Sequence, residues 1–195
     1  QGLYKGIRIS TMRIISGLYK GSILQSSKSI RPTQDNVRKA LFDILGDMEG
    51  VSFLELFAGS GAVGLEALSQ GAAEAVFVEK DRQAVKVLQE NLKNVKCQGA
   101  RVINKDVFDV IPDFFKDTRA FDIIFLDPPY YQELAKKPSQ MLGGYDILSR
   151  CGYCVAQHFK KDALPERIAH LALVKQAVYG DSVLSFYAKE SNLSR

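Results

Sequence analysis

The chain has 195 residues, 46% of them apolar and 25% charged, and carries a net charge of +4. A chain of this length buries roughly 70% of its unfolded surface, enough for one domain's core without covalent staples. No apolar run approaches the ~20 residues that span a bilayer, and no apolar signal segment follows the basic N-terminus, so no membrane partner is expected.

Residues 1–11 precede Met12, and Gly2-Leu3-Tyr4-Lys5-Gly6 echoes Gly17-Leu18-Tyr19-Lys20-Gly21. The stretch reads as a small duplication or as a leader or tag, and no function is placed on it. Residues 12–30 alternate loosely around Gly17 and Gly21, the pattern of a β-hairpin. Arg31-Pro32-Thr33 breaks the chain. Thr33 is a good N-cap, and Val37, Leu41, Phe42 and Leu45 give one apolar face to a helix ending near Gly46. From Val51 strand and helix alternate: strand 52–57, helix 61–70, strand 73–79, helix 82–95, strand 101–104, helix 107–116, strand 122–126. A helical stretch follows within 132–149, disturbed by Gly143-Gly144, and then a strand over 153–157. The runs 171–178 and 183–188, joined by Tyr179-Gly180-Asp181-Ser182, read as a hairpin. The series predicts an α/β doubly wound sheet, mostly parallel, with an antiparallel C-terminal hairpin and a small N-terminal hairpin and helix. The domains expected are a basic hairpin-and-helix unit over 12–50 and a catalytic unit over 51–190.

The charge is unevenly placed. Residues 1–40 hold eight Lys or Arg against Asp35 alone, and the rest of the chain sums to −3. That asymmetry suits a polyanion-binding arm on a near-neutral body. The three cysteines, Cys97, Cys151 and Cys154, argue for a reducing compartment, and the cytoplasm is expected. Cys151-x-x-Cys154 has no second pair and the only histidines are His158 and His170, so no metal is expected. Both cysteines read as small packing residues at a strand start.

Two motifs carry chemistry. Gly59-Ser60-Gly61-Ala62-Val63-Gly64 follows a strand and opens a helix, a spacing that lets a ligand approach the backbone. Glu55, four residues before it, would repel a pyrophosphate but accept from an ammonium, as S-adenosylmethionine carries. Glu79, ending the second strand, suits a ribose diol. Asp106 suits an adenine amine or, equally, the N-cap of the 107–116 helix. The second motif, Asp127-Pro128-Pro129-Tyr130, follows the apolar run 123–126 and therefore ends a buried strand. Asp127, with a main-chain carbonyl held by the stiff prolines, accepts the hydrogens of a planar amine and favours a free lone pair on its nitrogen. Tyr130 stacks on an extruded base.

These residues resemble the S-adenosylmethionine-dependent amino-methyltransferases. Arg31-Pro32-Thr33-Gln34-Asp35-Asn36-Val37-Arg38, Leu41-Phe42, the 55–68 segment, Val76-Phe77-Val78-Glu79 and Phe125 to Tyr130, in this order, resemble the bacterial 16S ribosomal RNA guanine-N2 methyltransferase family of RsmD type. The resemblance covers about residues 12–189, and its specific part is the Arg-Pro-Thr segment. It implies a Rossmann-like methyltransferase sheet. It also implies that Glu55, Phe57, Ala58, Gly59, Ser60, Gly61, Gly64, Glu79, Lys80, Asp106 and Val107 line the S-adenosylmethionine site, and that Asp127, Pro128, Pro129 and Tyr130 grip a guanine. Arg13, Lys20, Arg31, Thr33 and Arg38 would face RNA in a small-subunit particle, the protein acting as a monomer. The motif alone leaves adenine in DNA or RNA open as the target. A non-catalytic RNA-binding module and a dinucleotide oxidoreductase are the rival classes.

Overall fold

A computed structural model describes residues 9–27, 35–128 and 141–192. The expected N-terminal hairpin is β1 (Ile9–Arg13) paired antiparallel with β2 (Ile23–Ser27), in register from Ile9 opposite Ser27 to Arg13 opposite Ile23. The boundary expected between residues 11 and 12 therefore falls inside β1. Helix α1 (Asp35–Leu45) buries Val37, Leu41 and Phe42 and stops where Gly46, at φ 81°, caps it with an amide to the Phe42 carbonyl. Thr33, its expected cap, lies outside the described residues.

The alternating region follows the reading closely: β3 (Ser52–Leu56), α2 (Ala62–Ser69), β4 (Glu74–Val78), α3 (Arg82–Val95), β5 (Ala100–Ile103), α4 (Val107–Lys116) and β6 (Phe121–Leu126). Residues 141–144 are helical, and the expected helix up to residue 140 lies outside the described residues. Then come β7 (Leu148–Phe159), β8 (Arg167–Ile168), β9 (Leu171–Tyr179) and β10 (Ser182–Lys189). One expectation needs correction. β7 is much longer than 153–157, because Phe121 already pairs with Leu148 and a register shift lets the polar Ser149–Gly152 segment join. At Gly152 a Cβ would stand 2.5 Å from the Asp122 carbonyl, so the close approach of the two strands there requires glycine. The two-residue β8 has no periodic signal of its own.

The eight-stranded sheet runs β5-β4-β3-β6-β7-β10-β9-β8. β5, β4, β3, β6 and β7 are mutually parallel, and β10 lies antiparallel between β7 and β9. β9 and β10 form the expected antiparallel hairpin, and its second strand, β10, is the one that joins the sheet beside β7. Each face carries its own core. Phe53, Ala75, Phe77, Ile123, Phe125 and Val155 pack with the hairpin and residues of α1, α2 and α3. Leu54, Leu56, Val76, Ile124 and Leu126 pack on the other face with α4 and residues 142–148. The alternation along β3 puts Glu55 on the face that holds α1 and α2.

The hairpin is seated on that first face. Glu66 of α2, fully buried, accepts the amides of Ile15 and Ser16, each at 2.8 Å. The Ser69 hydroxyl accepts the Tyr19 amide at 2.9 Å and its carbonyl the Leu18 amide at 2.7 Å. Asn91 of α3 clasps both backbone polar groups of Gln25 and donates to the Ser60 carbonyl at 3.0 Å. The hairpin's turn sits at the C-terminal end of α2, and its open end reaches toward the glycine loop. Cys154 is buried as expected, but Cys151 is exposed, because it falls on the bulged, solvent-facing start of β7.

Candidate active site at the carboxyl edge of the sheet

In an open parallel sheet, ligands gather beyond the carboxyl ends of the strands where the winding reverses. That reversal lies between β3 and β6. Leu56 stands opposite Val78 on one side and Leu126 on the other, so Phe57, Glu79 and Asp127 leave the sheet at one level. Both chemistry-bearing motifs thus open onto the same edge, side by side.

The glycine loop is a wound segment. Phe57 (φ 62°), Gly59 (φ 54°) and Gly61 (φ 74°) all take left-handed backbone, which is uncommon for a phenylalanine and is sustained only where neighbours over-determine it. The Ala58 amide bonds the Val78 carbonyl at 3.0 Å, and the Gly61 amide bonds the Ala58 carbonyl at 2.7 Å. A Cβ on Gly61 would lie 2.2 Å from Leu88 Cδ1, and one on Gly64 2.4 Å from the Phe77 ring. These glycines let α2 settle onto β4 and α3.

Glu55 is 4% exposed and accepts the Gly64 amide at 2.8 Å. Burial pushes its carboxyl up to about 8, against the amides of Gly64 and Val63, with Asp127 adding to the rise and Arg38 opposing it. The acid sits beneath the loop and occupies an amide at the start of α2 that a pyrophosphate would need. It leaves a site suited to a cationic group, and the dinucleotide reading loses its physical basis. Asp127, half-buried, is close enough to be felt by Glu55, while Pro128 is buried.

Glu79 receives the Gly59 amide on Oε2 at 2.9 Å and the Asp81 amide on Oε1 at 2.8 Å. Each oxygen keeps a lone pair for a hydroxyl. Asp106 is the N-cap of α4, accepting from the Phe108 amide at 3.1 Å, with Lys80 3.1 Å from its other oxygen. Burial raises its carboxyl, but those hydrogen bonds and the Lys80 charge outweigh it and hold the group low. The N-cap alternative is therefore realised, with Lys80 on the oxygen that does not cap the helix. Val107 is buried below. Sequence reasoning missed two clamps. The Asn104 amide donates to the Glu79 carbonyl at 2.9 Å and the Lys80 carbonyl at 3.1 Å, and Asn91 holds Ser60. Asn91 was visible as a polar residue on the apolar stripe of α3; Asn104 had no comparable signal.

Among the expected RNA contacts, Arg13 and Lys20 are exposed. Arg38 is not: it is fully buried and bound to groups of β1 and α2. Its expected role at the RNA surface is corrected, because a guanidinium enclosed by the protein cannot reach phosphate. Arg31, Thr33, Pro129 and Tyr130 lie outside the described residues. Among the described residues no group of three His, Cys, Asp or Glu is arranged to hold a metal, and no helix is long and apolar enough to cross a membrane.

The chain has relatives among known proteins over nearly its whole length. The family model described as conserved hypothetical protein 95 matches residues 12–188. The ribosomal RNA small subunit methyltransferase D of Escherichia coli is 33% identical over 183 residues, 92% of this chain and 91% of that one. A Bacillus subtilis protein provisionally named rRNA methyltransferase YlbH is 35% identical over 182 residues, covering 91% and 99%. The solved structure of a hypothetical protein from Thermus thermophilus superposes with a TM-score of 0.81 at 38% identity, covering 90% and 98%.

Proposed function

The chain belongs to the conserved hypothetical protein 95 family, the RsmD type of S-adenosylmethionine-dependent RNA methyltransferases, and from that premise we propose that it methylates the exocyclic N2 amine of a guanine in small-subunit ribosomal RNA. One observation carries the reading. The loops after β3 and β6 leave the same edge in adjacent register, and Glu55 and Asp127 interact electrostatically.

Bound S-adenosylmethionine supplies an activated methyl on a sulfonium. The residues' proposed tasks follow from their places. The loop Phe57–Gly61 gives a backbone wall that the glycines keep free of side chains. Glu55, ionised as the cationic end of the donor settles above it, faces that end, Glu79 accepts from ribose hydroxyls, and the Asp106 carboxylate with the backbone at Val107 meets the adenine. Lys80 holds Asp106 in place. Asp127 accepts a hydrogen of the target amine, Pro128 and Pro129 stiffen the turn, and Tyr130 is assigned the stacking role by its position in the sequence. Turnover then rests mainly on in-line placement of amine and methyl and on a charge match at the amine. Arg13, Lys20, Arg31 and Thr33 are proposed to engage RNA, the protein acting as a monomer on a small-subunit particle.

The experiment is transfer of labelled methyl from S-adenosylmethionine to naked RNA, small-subunit particles and DNA, with the product digested to nucleosides. N2-methylguanosine from ribosomal RNA is the expected product. N6-methyladenosine would move the assignment to the adenine alternative, and no transfer to any acceptor would leave the binding-module rival standing.

A further inference from the structure

Helix α3 buries Ala84, Val87, Leu88, Asn91 and Val95 and turns its other side to solvent. Arg82, Lys86, Gln89 and Lys93 are all exposed there. At 3.6 residues per turn they fall within about 60° of one another, over roughly 16 Å of helix. Among the described residues none of these three cations makes an ion pair, whereas Lys39, Lys80, Lys105, Lys160 and Lys189 each have a carboxylate within 3.2 Å. Glu90, the only acid of α3, is half-buried at the flank of the stripe. A helix face that is merely solvated gains from acids in its first turn and cations in its last. α3 has Arg82 in its first turn and no acid there after the capping Asp81. The opposite face of the sheet has the reverse sign: α4 and its C-cap expose Asp109, Asp113 and Asp117 against Lys116.

The stripe runs past the site. Leu88 abuts the glycine loop so closely that a Cβ on Gly61 would lie 2.2 Å from its Cδ1, and Asn91 holds the Ser60 carbonyl at 3.0 Å. Arg82 and Lys86 precede that contact along the helix, and Lys93 follows it. The hairpin lies alongside, held by Asn91 through both backbone polar groups of Gln25. We propose that Arg82, Lys86 and Lys93 form a phosphate-binding track for the RNA strand flanking the target nucleotide. The inference rests on the reading of this edge as an RNA-modifying site, and it adds a surface that fixes the substrate's register without reading bases. The rise is about 6 Å from Arg82 to Lys86 and about 10 Å from Lys86 to Lys93, so each cation takes a phosphate of its own. The acids of α4 repel the same polyanion, so the RNA is held on the α3 side of the sheet.

The probes are naked small-subunit ribosomal RNA and small-subunit particles, bound to the full chain across a salt series. The triple variant Arg82→Gln, Lys86→Gln and Lys93→Gln keeps good helix formers on a solvent face, so its urea midpoint should match the wild type. Its slope of log affinity against log salt should be shallower by about 2 to 3, at roughly 0.7 to 0.9 per lost phosphate contact, with affinity down tenfold or more near 0.1 M salt. A control variant, Lys116→Gln, Lys161→Gln and Lys175→Gln, removes the same net charge from exposed positions away from α3 and should leave the slope in place. An equal fall in the control would reduce the effect to net charge and overturn the track. A fall seen with particles and absent with naked RNA would assign the stripe to a protein partner and overturn it as well. Absence of methyl transfer by the wild-type protein would overturn the enzymatic reading, whereas an unaltered slope in the α3 variant of an active protein overturns the track alone.

Discussion

Glu55 shows how a single side chain links acidity, packing and ligand choice. A carboxyl raised from 4.5 to about 8 favours its protonated form in the fold. Its contribution to stability is therefore complete below the unfolded value and lost as pH rises through about 8. Denaturant unfolding across that window should show the wild-type protein losing stability toward alkaline pH, and Glu55→Gln should remove that part of the slope. Asp127 is one cause of the raised value, so Asp127→Ala should ease ionisation of Glu55 while removing the acceptor for the target amine. Turnover is expected to fall about a hundredfold or more, with donor affinity by calorimetry held or improved near neutral pH. A proportionate loss of affinity would place Asp127 in the donor pocket instead. Gly64 is tightly packed at an ordinary helical backbone: a methyl there meets the buried Phe77 ring at 2.4 Å and a Glu55 oxygen at 2.9 Å. Gly64→Ala should cost about 1–3 kcal/mol in a urea titration, the usual size of core overpacking.

Among the elements, the hairpin departs most from a simple charged arm. Its strands share a core with α2 and α3, and its connecting segment hangs on Glu66 and Ser69. Glu66→Ala breaks a buried pair with Arg38 and strands two amides, so a loss of about 3–5 kcal/mol is expected. Hydrogen exchange should rise first at residues 14–22. The elements themselves were largely legible, because apolar alternation and glycine breaks are local: α3 and α4 begin and end where the periodicity said. The Gly loop and the Asp-Pro-Pro turn were equally legible, since each is a contiguous word whose chemistry is written in its spacing. What stayed hidden was long-range. Arg38 reads as a surface cation on an amphipathic helix, and nothing local says that Glu66, on another helix, will enclose it. Asp106 could not be divided between cap and ligand from sequence, because both uses need an acid just before a helix. The insertion of β10 beside β7 depends on pairing that no one-dimensional pattern encodes.

Across the molecule, the basic excess of the first forty residues is partly consumed inside the fold. With Arg38 internal, Arg13 and Lys20 are the exposed cations of the described hairpin. Neutralising both should lower the slope of log affinity against log salt by about 2, near 0.9 per phosphate contact. An unaltered slope in RNA filter binding would clear the hairpin of that role, and adding Arg38→Gln should change the slope no further. The order of the sheet has a consequence of another kind. β10 fills the slot between β7 and β9, yet it is the last strand to be made. A nascent chain halted before residue 182 would carry a twelve-residue β7 with one side bare, an invitation to stick to its neighbours. Completion of the sheet thus waits for residues 182–189 to leave the exit tunnel, and chaperone dependence of this sheet during translation should end there rather than with the emergence of the glycine loop.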